Sequence, residues 1–249
     1  MPQSQYGQIK IFEDFIGIES PLALTTVAPR NLGQFQLVGQ GIEVDDSGAV
    51  GLDADGLNGV IQLTTTNEDV HAAGAASAVA FDVGLMGTIV YEARVRMAAQ
   101  ANDEVFVGFS DVQTDLAIIE GAICHGATAT LTLTASDICG FLFSTDLTSK
   151  NWHAVYNGGT TTGVTDATAN DLGTTALPVN GEFDILRLEI TNSGTARWFV
   201  NGALLKTVTG AVSTSVDLGA LTIVESKHAS VQTLDVDYIA LEANRDWTV

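Results

Sequence analysis

The clearest alternation of hydrophobic and polar positions lies between residues 182 and 208. Leu186, Leu188 and Ile190 occupy every second position and alternate with Arg187 and Glu189, which is the period of a strand with one buried face. An Asn-Ser-Gly turn and the Asn201-Gly202 pair separate this segment from two further apolar stretches. Since Asn-Gly strongly favours a two-residue hairpin turn, the region predicts three consecutive antiparallel strands.

The same reasoning predicts strands along most of the chain. Residues 88–97 alternate with Ile89 and Met97 at the ends of the buried face. Residues 104–109 are apolar on both faces, which predicts a central strand covered on both sides. Shorter runs predict further strands at 11–15, 35–38, 42–44, 49–52, 60–64, 75–83, 137–144, 152–156, 216–224 and 231–241. About fourteen strands without a helix indicate an all-β, antiparallel two-sheet sandwich.

Other stretches are expected to lie outside the regular sheets. Residues 1–10 are polar and are expected to form an N-terminal arm, followed by one β-sandwich domain over 11–249. Residues 67–74 predict a polar loop, and 115–134 contain short β-like pieces with too many glycines for a helix. Residues 157–180 predict one or two exposed hairpins or a flexible loop.

The amino-acid composition limits the classes of molecule that the protein is expected to bind. Of the 249 residues, 46% are hydrophobic and 16% are charged, and the formal net charge is −20. Phosphate and anionic lipid attract positive charge, so we expect neither nucleic-acid nor membrane binding. The acidic excess fits a solvated surface, or alternatively docking onto a basic partner.

The two cysteines, Cys124 and Cys139, lie fifteen positions apart in apolar contexts. This spacing matches neither a disulfide framework nor a zinc site, so we expect buried thiols. The opening residues contain no apolar segment and no run of 18 apolar residues occurs, so we expect no signal peptide and no membrane span.

One turn has the oxygen-rich pattern of a calcium loop. Asp53, Asp55 and Asn58 surround Gly56, and a hard cation needs several such oxygens on a tight turn. The distal glutamate of an EF-hand loop is missing, and an ordinary Asp-Gly turn is the favoured interpretation, as it is for residues 45–48. No other metal or cofactor site is predicted.

Two pairs of acids invite comparison with the paired carboxylates of glycosidases. Glu182 and Asp184 share a strand face, as do Asp235 and Asp237. Glu189 stands an odd number of residues beyond Asp184 and therefore points to the other face. We interpret both pairs as solvated strand edges, and no catalytic residue is predicted.

Histidines and tryptophans give no further motif. The histidines have no metal-ligand spacing and stand at His71, His125, His153 and His228. No Gly-x-Ser-x-Gly elbow is present. Trp198 shares a face with apolar neighbours and is expected in the core, while Trp152 and Trp247 are interpreted as core or subunit contacts, with sugar stacking as the alternative.

Several segments together resemble a known family. They are Asp14-Phe15, GFLFS at 140–144, NWHAV at 151–155, LRLEI at 186–190, ARWFVNG at 196–202 and LDVDYI at 234–239. Over residues 12–243 the chain resembles the concanavalin A-like (laminin G-like) jelly-roll sandwich, in the versions found among virion structural proteins of tailed bacteriophages. The family also includes lectins that bind calcium beside a sugar, and glucanases with a Glu-x-Asp-x-x-Glu signature, from which residues 182–187 depart.

The resemblance implies a non-enzymatic virion structural protein made in the host cytoplasm. Its first expected role is capsid decoration (cement), in which the chain binds major capsid protein subunits on the outer capsid surface and self-associates, with a trimer favoured. The alternative is a carbohydrate-binding jelly-roll module of a tail fibre or another receptor-binding structure. A glycan hydrolase is the third and least favoured hypothesis.

Overall fold

The computed structural model describes residues 7–16, 22–23, 31–39, 49–53, 59–78, 80–112 and 119–245. In chain order the strands are β1 (Gln8–Glu13), β2 (Leu22–Ala23), β3 (Asn31–Leu32), β4 (Phe35–Gly39), β5 (Ala49–Leu52), β6 (Ile61–Thr64), β7 (Ala72–Ala76), β8 (Phe81–Asp82), β9 (Ile89–Met97), β10 (Asp103–Ser110), β11 (Cys124–Ala127), β12 (Thr130–Leu133), β13 (Ile138–Ser144), β14 (His153–Asn157), β15 (Phe183–Ile190), β16 (Ala196–Val200), β17 (Ala203–Val208), β18 (Asp217–Ser226) and β19 (Thr233–Asn244). A π-helical turn (Ile119–Ile123), a helix α1 (Ala167–Asn170) and a 3₁₀ turn (Thr174–Ala176) interrupt them.

The strands form two large antiparallel sheets, as predicted. The nine-stranded sheet has the order β17-β16-β15-β9-β19-β6-β5-β2, with β1 also paired to β19. The eight-stranded sheet has the order β14-β13-β10-β18-β7-β4-β3, with β8 paired to β18. Strands β11 and β12 make a separate two-stranded ribbon. No helix among the described residues is both long and apolar enough to cross a membrane.

The strongest sequence patterns are confirmed. Every second residue of β9 from Ile89 to Met97 is buried, and all eight residues of β10 are buried. Strands β15, β16 and β17 form the expected meander, and Asn201 takes a left-handed φ of 51° in the turn between the last two. Gly202 follows with φ of 83°, so the Asn-Gly pair supplies the two left-handed residues of a hairpin turn.

The main core lies between the two sheets. Its largest side chains are completely or almost completely buried and include Trp152, Trp198, Tyr91, Phe109, Phe141 and Phe143. The indole Nε1 of Trp198 donates to the carbonyl of Gly140 at 2.8 Å and so joins the nine-stranded sheet to the eight-stranded sheet. Trp198 and Trp152 are therefore core residues, and both cysteines are buried free thiols as expected.

A second apolar layer covers the outer face of the eight-stranded sheet. Residues 119–135 and the loops at 145–149 and 165–171, which together we call the covering layer, place Ile123, Leu131 and Leu147 against this face. Odd residues of β10 such as Val107 face the main core, whereas Phe106 faces the covering layer. This second layer explains why β10 is apolar on both faces.

The positions predicted for three segments of the chain are wrong. Residues 8–10, expected in the arm, form the first half of β1 and pair with the C-terminal strand β19. The expected loop at 67–74 ends early because β7 begins at Ala72. Residues 157–180 do not form the expected hairpins: they contain α1 and the 3₁₀ turn, and side chains such as Asn170 are buried.

Candidate functional site

The calcium candidate is only partly described. Asp53 follows β5, and its carboxylate lies 2.7 Å from Nη2 of Arg96, so an arginine partner already balances its charge. Asp55 and Asn58 lie outside the described residues, as do 42–48 and Trp247. Within the part of the chain that the structure describes, no group of three or more His, Cys, Asp or Glu side chains could hold a metal ion.

The prediction that Asp235 lies on a solvated strand edge is wrong. Strand β19 lies between β9 and β6, so Asp235 is inside the sheet and only 2% exposed. Arg96 Nε donates to its carboxylate at 2.8 Å and Gln62 Nε2 donates at 3.0 Å. Asp237 sits at a register shift of β19 and pairs with Arg94. These carboxylates form ion pairs on the sheet and do not form a catalytic pair.

The Glu182–Asp184 pair is divided between two environments. Glu182 is exposed, as expected, but Asp184 is half-buried and accepts from Trp152 Nε1 at 3.0 Å and from Asn201 Nδ2 at 2.9 Å. The predicted solvated position therefore holds only in part for Asp184. Asp184 links β15 to the start of β14 and to the Asn-Gly hairpin, which is a structural role.

The structure brings together two glutamates that the sequence pattern did not single out. Glu104 of β10 and Glu225 of β18 are register partners, and both are fully buried beneath the covering layer. Glu225 accepts from the backbone N–H of Glu120 at 3.1 Å, and Glu104 accepts from the backbone N–H of Gly126 at 2.9 Å. The two carboxylates thus hold the π-helical turn and the ribbon onto the sheet.

Charged neighbours complete this acid pair. The ammonium of Lys227, only 3% exposed, lies 3.8 Å from both Glu104 and Glu225 and also pairs with Glu120. Burial and the negative charge of Glu104 raise the pKa of Glu225 to about 8. The hydrogen bond to Glu104 raises the pKa of His125 despite its partial burial. Because both glutamates are covered and bound to backbone amides, they anchor the covering layer and offer no open face to a substrate.

A pocket of about 240 Å³ opens where three parts of the covering layer meet β14. Its lining residues are Thr128, Ala129, Thr148, Ser149, His153, Ala167, Thr168 and Asp171. The backbone N–H of Thr148 donates to the carbonyl of Thr128 at 2.7 Å, and that of Ala167 donates to the carbonyl of Ala129 at 3.0 Å. Thr128 has a φ of 57°, which is uncommon for a β-branched residue and marks a constrained turn at the pocket wall.

His153 is the unusual group of this pocket. The side chain is fully buried at the start of β14, and its Nδ1 lies 2.8 Å from the carbonyl oxygen of Asn151. Its other ring nitrogen, Nε2, is buried without a hydrogen-bond partner. Burial lowers the pKa of His153, although the carboxylate of Asp171 and the backbone of Asn151 and of Leu142 work in the opposite direction. A buried polar atom without a partner is rare and points to a ligand or solvent position.

Asp171 supplies the negative charge of the pocket. Its Oδ1 accepts from Asn151 Nδ2 at 2.8 Å and from the backbone N–H of Gly173 at 2.7 Å. Burial opposes its ionisation, but hydrogen bonds from Ser149, Asn151 and Gly173 outweigh burial and lower its pKa. At neutral pH the pocket therefore presents a carboxylate, a buried imidazole nitrogen and four hydroxyl groups.

Sequence reasoning did not find this pocket. His153 appeared as a lone histidine, and Asp171 and Thr168 fell within a stretch expected to form hairpins or a flexible loop. The one local signal was Asp166, whose carboxylate caps α1 by accepting from the N–H of Thr168 at 2.8 Å. The spatial meeting of residues 128, 148, 153 and 171 had no counterpart in sequence spacing.

No protein-family model matches the chain, and a comparison with curated proteins gives no match either. Solved structures do match in fold. A protein of unknown function from Shewanella oneidensis MR-1 has a TM-score of 0.57 at 13% identity, over 97% of this chain and 89% of that one. Peanut lectin has a TM-score of 0.53 at 13% identity, over 95% of this chain and 97% of that one.

A third match is the carbohydrate recognition domain of Emp47p. Its TM-score is 0.55 at 12% identity, and the alignment covers 90% of this chain and 95% of that domain. At these identities the likeness concerns the fold alone. The chain therefore adopts the concanavalin A-like jelly-roll sandwich that lectins and carbohydrate recognition domains share.

Proposed function

We propose that this protein is a carbohydrate-binding module that holds a glycan in the pocket beside His153 without cleaving it. The observation that carries the proposal is the buried, unpartnered Nε2 of His153 at a pocket whose lining contains four hydroxyl groups, one carboxylate and the apolar side chains of Ala129 and Ala167. Sugars present many hydroxyl groups, and each can donate to or accept from such side chains. A volume of about 240 Å³ suits a small group such as a terminal sugar ring, since pockets for drug-sized ligands have volumes of about 300–1,000 Å³.

The fold supports this choice over the other hypotheses. Two of the similar structures are named as a lectin and as a carbohydrate recognition domain. Hydrolysis would need two carboxylates that reach the scissile bond from opposite sides. The adjacent buried glutamates, Glu104 and Glu225, are instead bound to backbone amides of the covering layer. We therefore place binding, and not catalysis, at the pocket.

The test is glycan binding with a matched pair of variants. An array of glycans identifies a ligand, and saturation-transfer NMR and calorimetry then measure its affinity for the wild type. Thr168→Val removes an exposed hydroxyl of the pocket, whereas Thr207→Val removes an exposed hydroxyl of the edge strand β17. We expect Thr168→Val to weaken binding by about 2- to 10-fold and Thr207→Val to leave it unchanged. Failure of every glycan to bind would reject the proposal.

The capsid decoration role remains a prediction from the family resemblance. It names major capsid protein subunits as partners, a homotrimer as the favoured assembly and the outer capsid surface as the location. A particle map with the chain in hundreds of copies on the shell would support it, whereas a few copies at the tail would support the alternative of a tail-fibre module. Glycan binding is compatible with that alternative.

A further inference from the structure

We infer that the pocket selects a sugar without negative charge, whose hydroxyl groups donate hydrogen bonds to Nε2 of His153 and to Asp171. This inference rests on the proposed function and adds the ligand class and the two residues that determine specificity.

The first step is the protonation of His153. A backbone carbonyl oxygen only accepts hydrogen bonds, so the 2.8 Å contact with Asn151 requires the proton on Nδ1. Burial lowers the pKa of this imidazole, which keeps the ring neutral at physiological pH. Nε2 therefore carries a lone pair and acts as an acceptor. Nε2 has no hydrogen-bond partner and almost no accessible surface, so a ligand hydroxyl that donates to it must displace part of the pocket wall, and it then satisfies a group that is otherwise left unpaired.

Asp171 is the second acceptor of the pocket. Its ionised carboxylate only accepts hydrogen bonds and already receives three from Ser149, Asn151 and Gly173. Two carboxylate oxygens offer about four lone-pair positions, so the group retains capacity for another donor. The two acceptors, His153 and Asp171, also form an isolated β-bridge through their backbones, which fixes their relative position.

The third step is the absence of a positive charge on the wall. The lining residues include one carboxylate and no cationic side chain. Lys150 donates to the carbonyls of Thr145 and Leu147. Lys206, whose charge reaches His153 and helps to lower its pKa, donates to the carbonyl of Ala169 and to Asn170 Oδ1. A ligand carboxylate or sulfate would thus meet Asp171 and the lone pair of His153 in a chain whose net charge is −20.

The deciding experiment compares neutral glycans with their uronic acid counterparts, in which a hydroxymethyl group is oxidised to a carboxylate. We expect the wild type to bind the neutral form with at least about tenfold higher affinity than the acid. Equal or tighter binding of the uronic acid would overturn the inference and leave the carbohydrate-binding proposal intact. Absence of binding by both classes would reject the proposal itself.

Variants at His153 separate recognition from folding. His153→Phe fills a similar space but removes the acceptor, whereas His153→Gln retains an acceptor oxygen. We expect His153→Phe to lower the affinity for the neutral glycan by about tenfold. We expect His153→Gln to lower it less, because the amide oxygen replaces part of the lost acceptor. If His153→Phe does not fold, the ¹⁵N resonance of Nε2 in the wild type provides the readout. A shift on addition of neutral glycan supports the inference, and an unchanged resonance at saturation contradicts it.

Discussion

The buried acid pair predicts that the protein is more stable at pH 5 than at pH 9. Glu225 is fully buried beside Glu104, and its pKa is raised from 4.5 to about 8 by burial and by that neighbouring charge. The folded protein therefore holds a proton that the unfolded chain releases between these two values. The stabilising effect is fully present below the unfolded value of 4.5 and is lost as the pH rises through about 8.

The size of the effect follows from the two pKa values. One pH unit corresponds to about 1.4 kcal/mol, so the gap between 4.5 and about 8 corresponds to at most roughly 5 kcal/mol. Asp103 acts in the same direction because burial raises its pKa to about 7. His125 adds to it, since a raised histidine pKa also stabilises the fold at the acidic end. Because each of these contributions is an upper limit, we expect the free energy of unfolding to fall by about 2–5 kcal/mol in total between pH 5 and pH 9.

Glu225→Gln isolates the contribution of this residue. The amide keeps an acceptor oxygen for the backbone N–H groups of the π-helical turn and cannot become charged. Urea unfolding at pH 5, 7 and 9 should show a smaller pH dependence for Glu225→Gln than for the wild type. Glu242→Gln is the matched control, because Glu242 is a surface residue paired with Lys10. The reasoning would be refuted if the wild type were equally stable at pH 5 and pH 9. It would also be refuted if the stability of Glu225→Gln depended on pH as strongly as that of the wild type.

Three further predictions concern the scaffold, and urea unfolding measures each. Asp184→Asn removes the charged acceptor of Trp152 Nε1, and we expect a loss of about 1–2 kcal/mol; an unchanged midpoint would contradict the linking role. Arg96→Gln leaves Asp235 buried with a weaker partner, and we expect a loss of about 3–5 kcal/mol; a loss below about 1 kcal/mol would show that the pair is dispensable. Gly108→Ala places a Cβ 2.4 Å from the backbone of β13, so overpacking should cost about 1–3 kcal/mol, and wild-type stability would show that the strands separate easily.

The sequence patterns that succeeded share one physical basis. Strands β9, β15 and β16 lie in a sheet with one buried face, so burial alternates and the period of two is visible in the residue types. The Asn201-Gly202 turn is equally local, since left-handed backbone conformations need particular residues. Even the two-sided burial of β10 was predicted, because an uninterrupted apolar strand requires cover on both faces.

The predictions that failed depended on distant partners. Asp235 is buried because its strand lies between β9 and β6, and Arg96 of β9 supplies its partner. Neither neighbour is indicated by the sequence around Asp235. Glu104 and Glu225 are 121 positions apart and meet because their strands pair. The threonine- and alanine-rich covering layer has weak periodicity, since it packs through scattered side chains such as Leu131 and Ala167.

By itself the sequence determined an all-β sandwich with an acidic surface, because strand periodicity, turn residues and charge are local properties of the chain. The tertiary structure alone decided where the candidate site lies. The pocket exists because the covering layer folds across the eight-stranded sheet and places Thr128, Ser149 and Asp171 around the buried His153. The unpaired state of that imidazole nitrogen is a property of three-dimensional packing, which no spacing along the chain records.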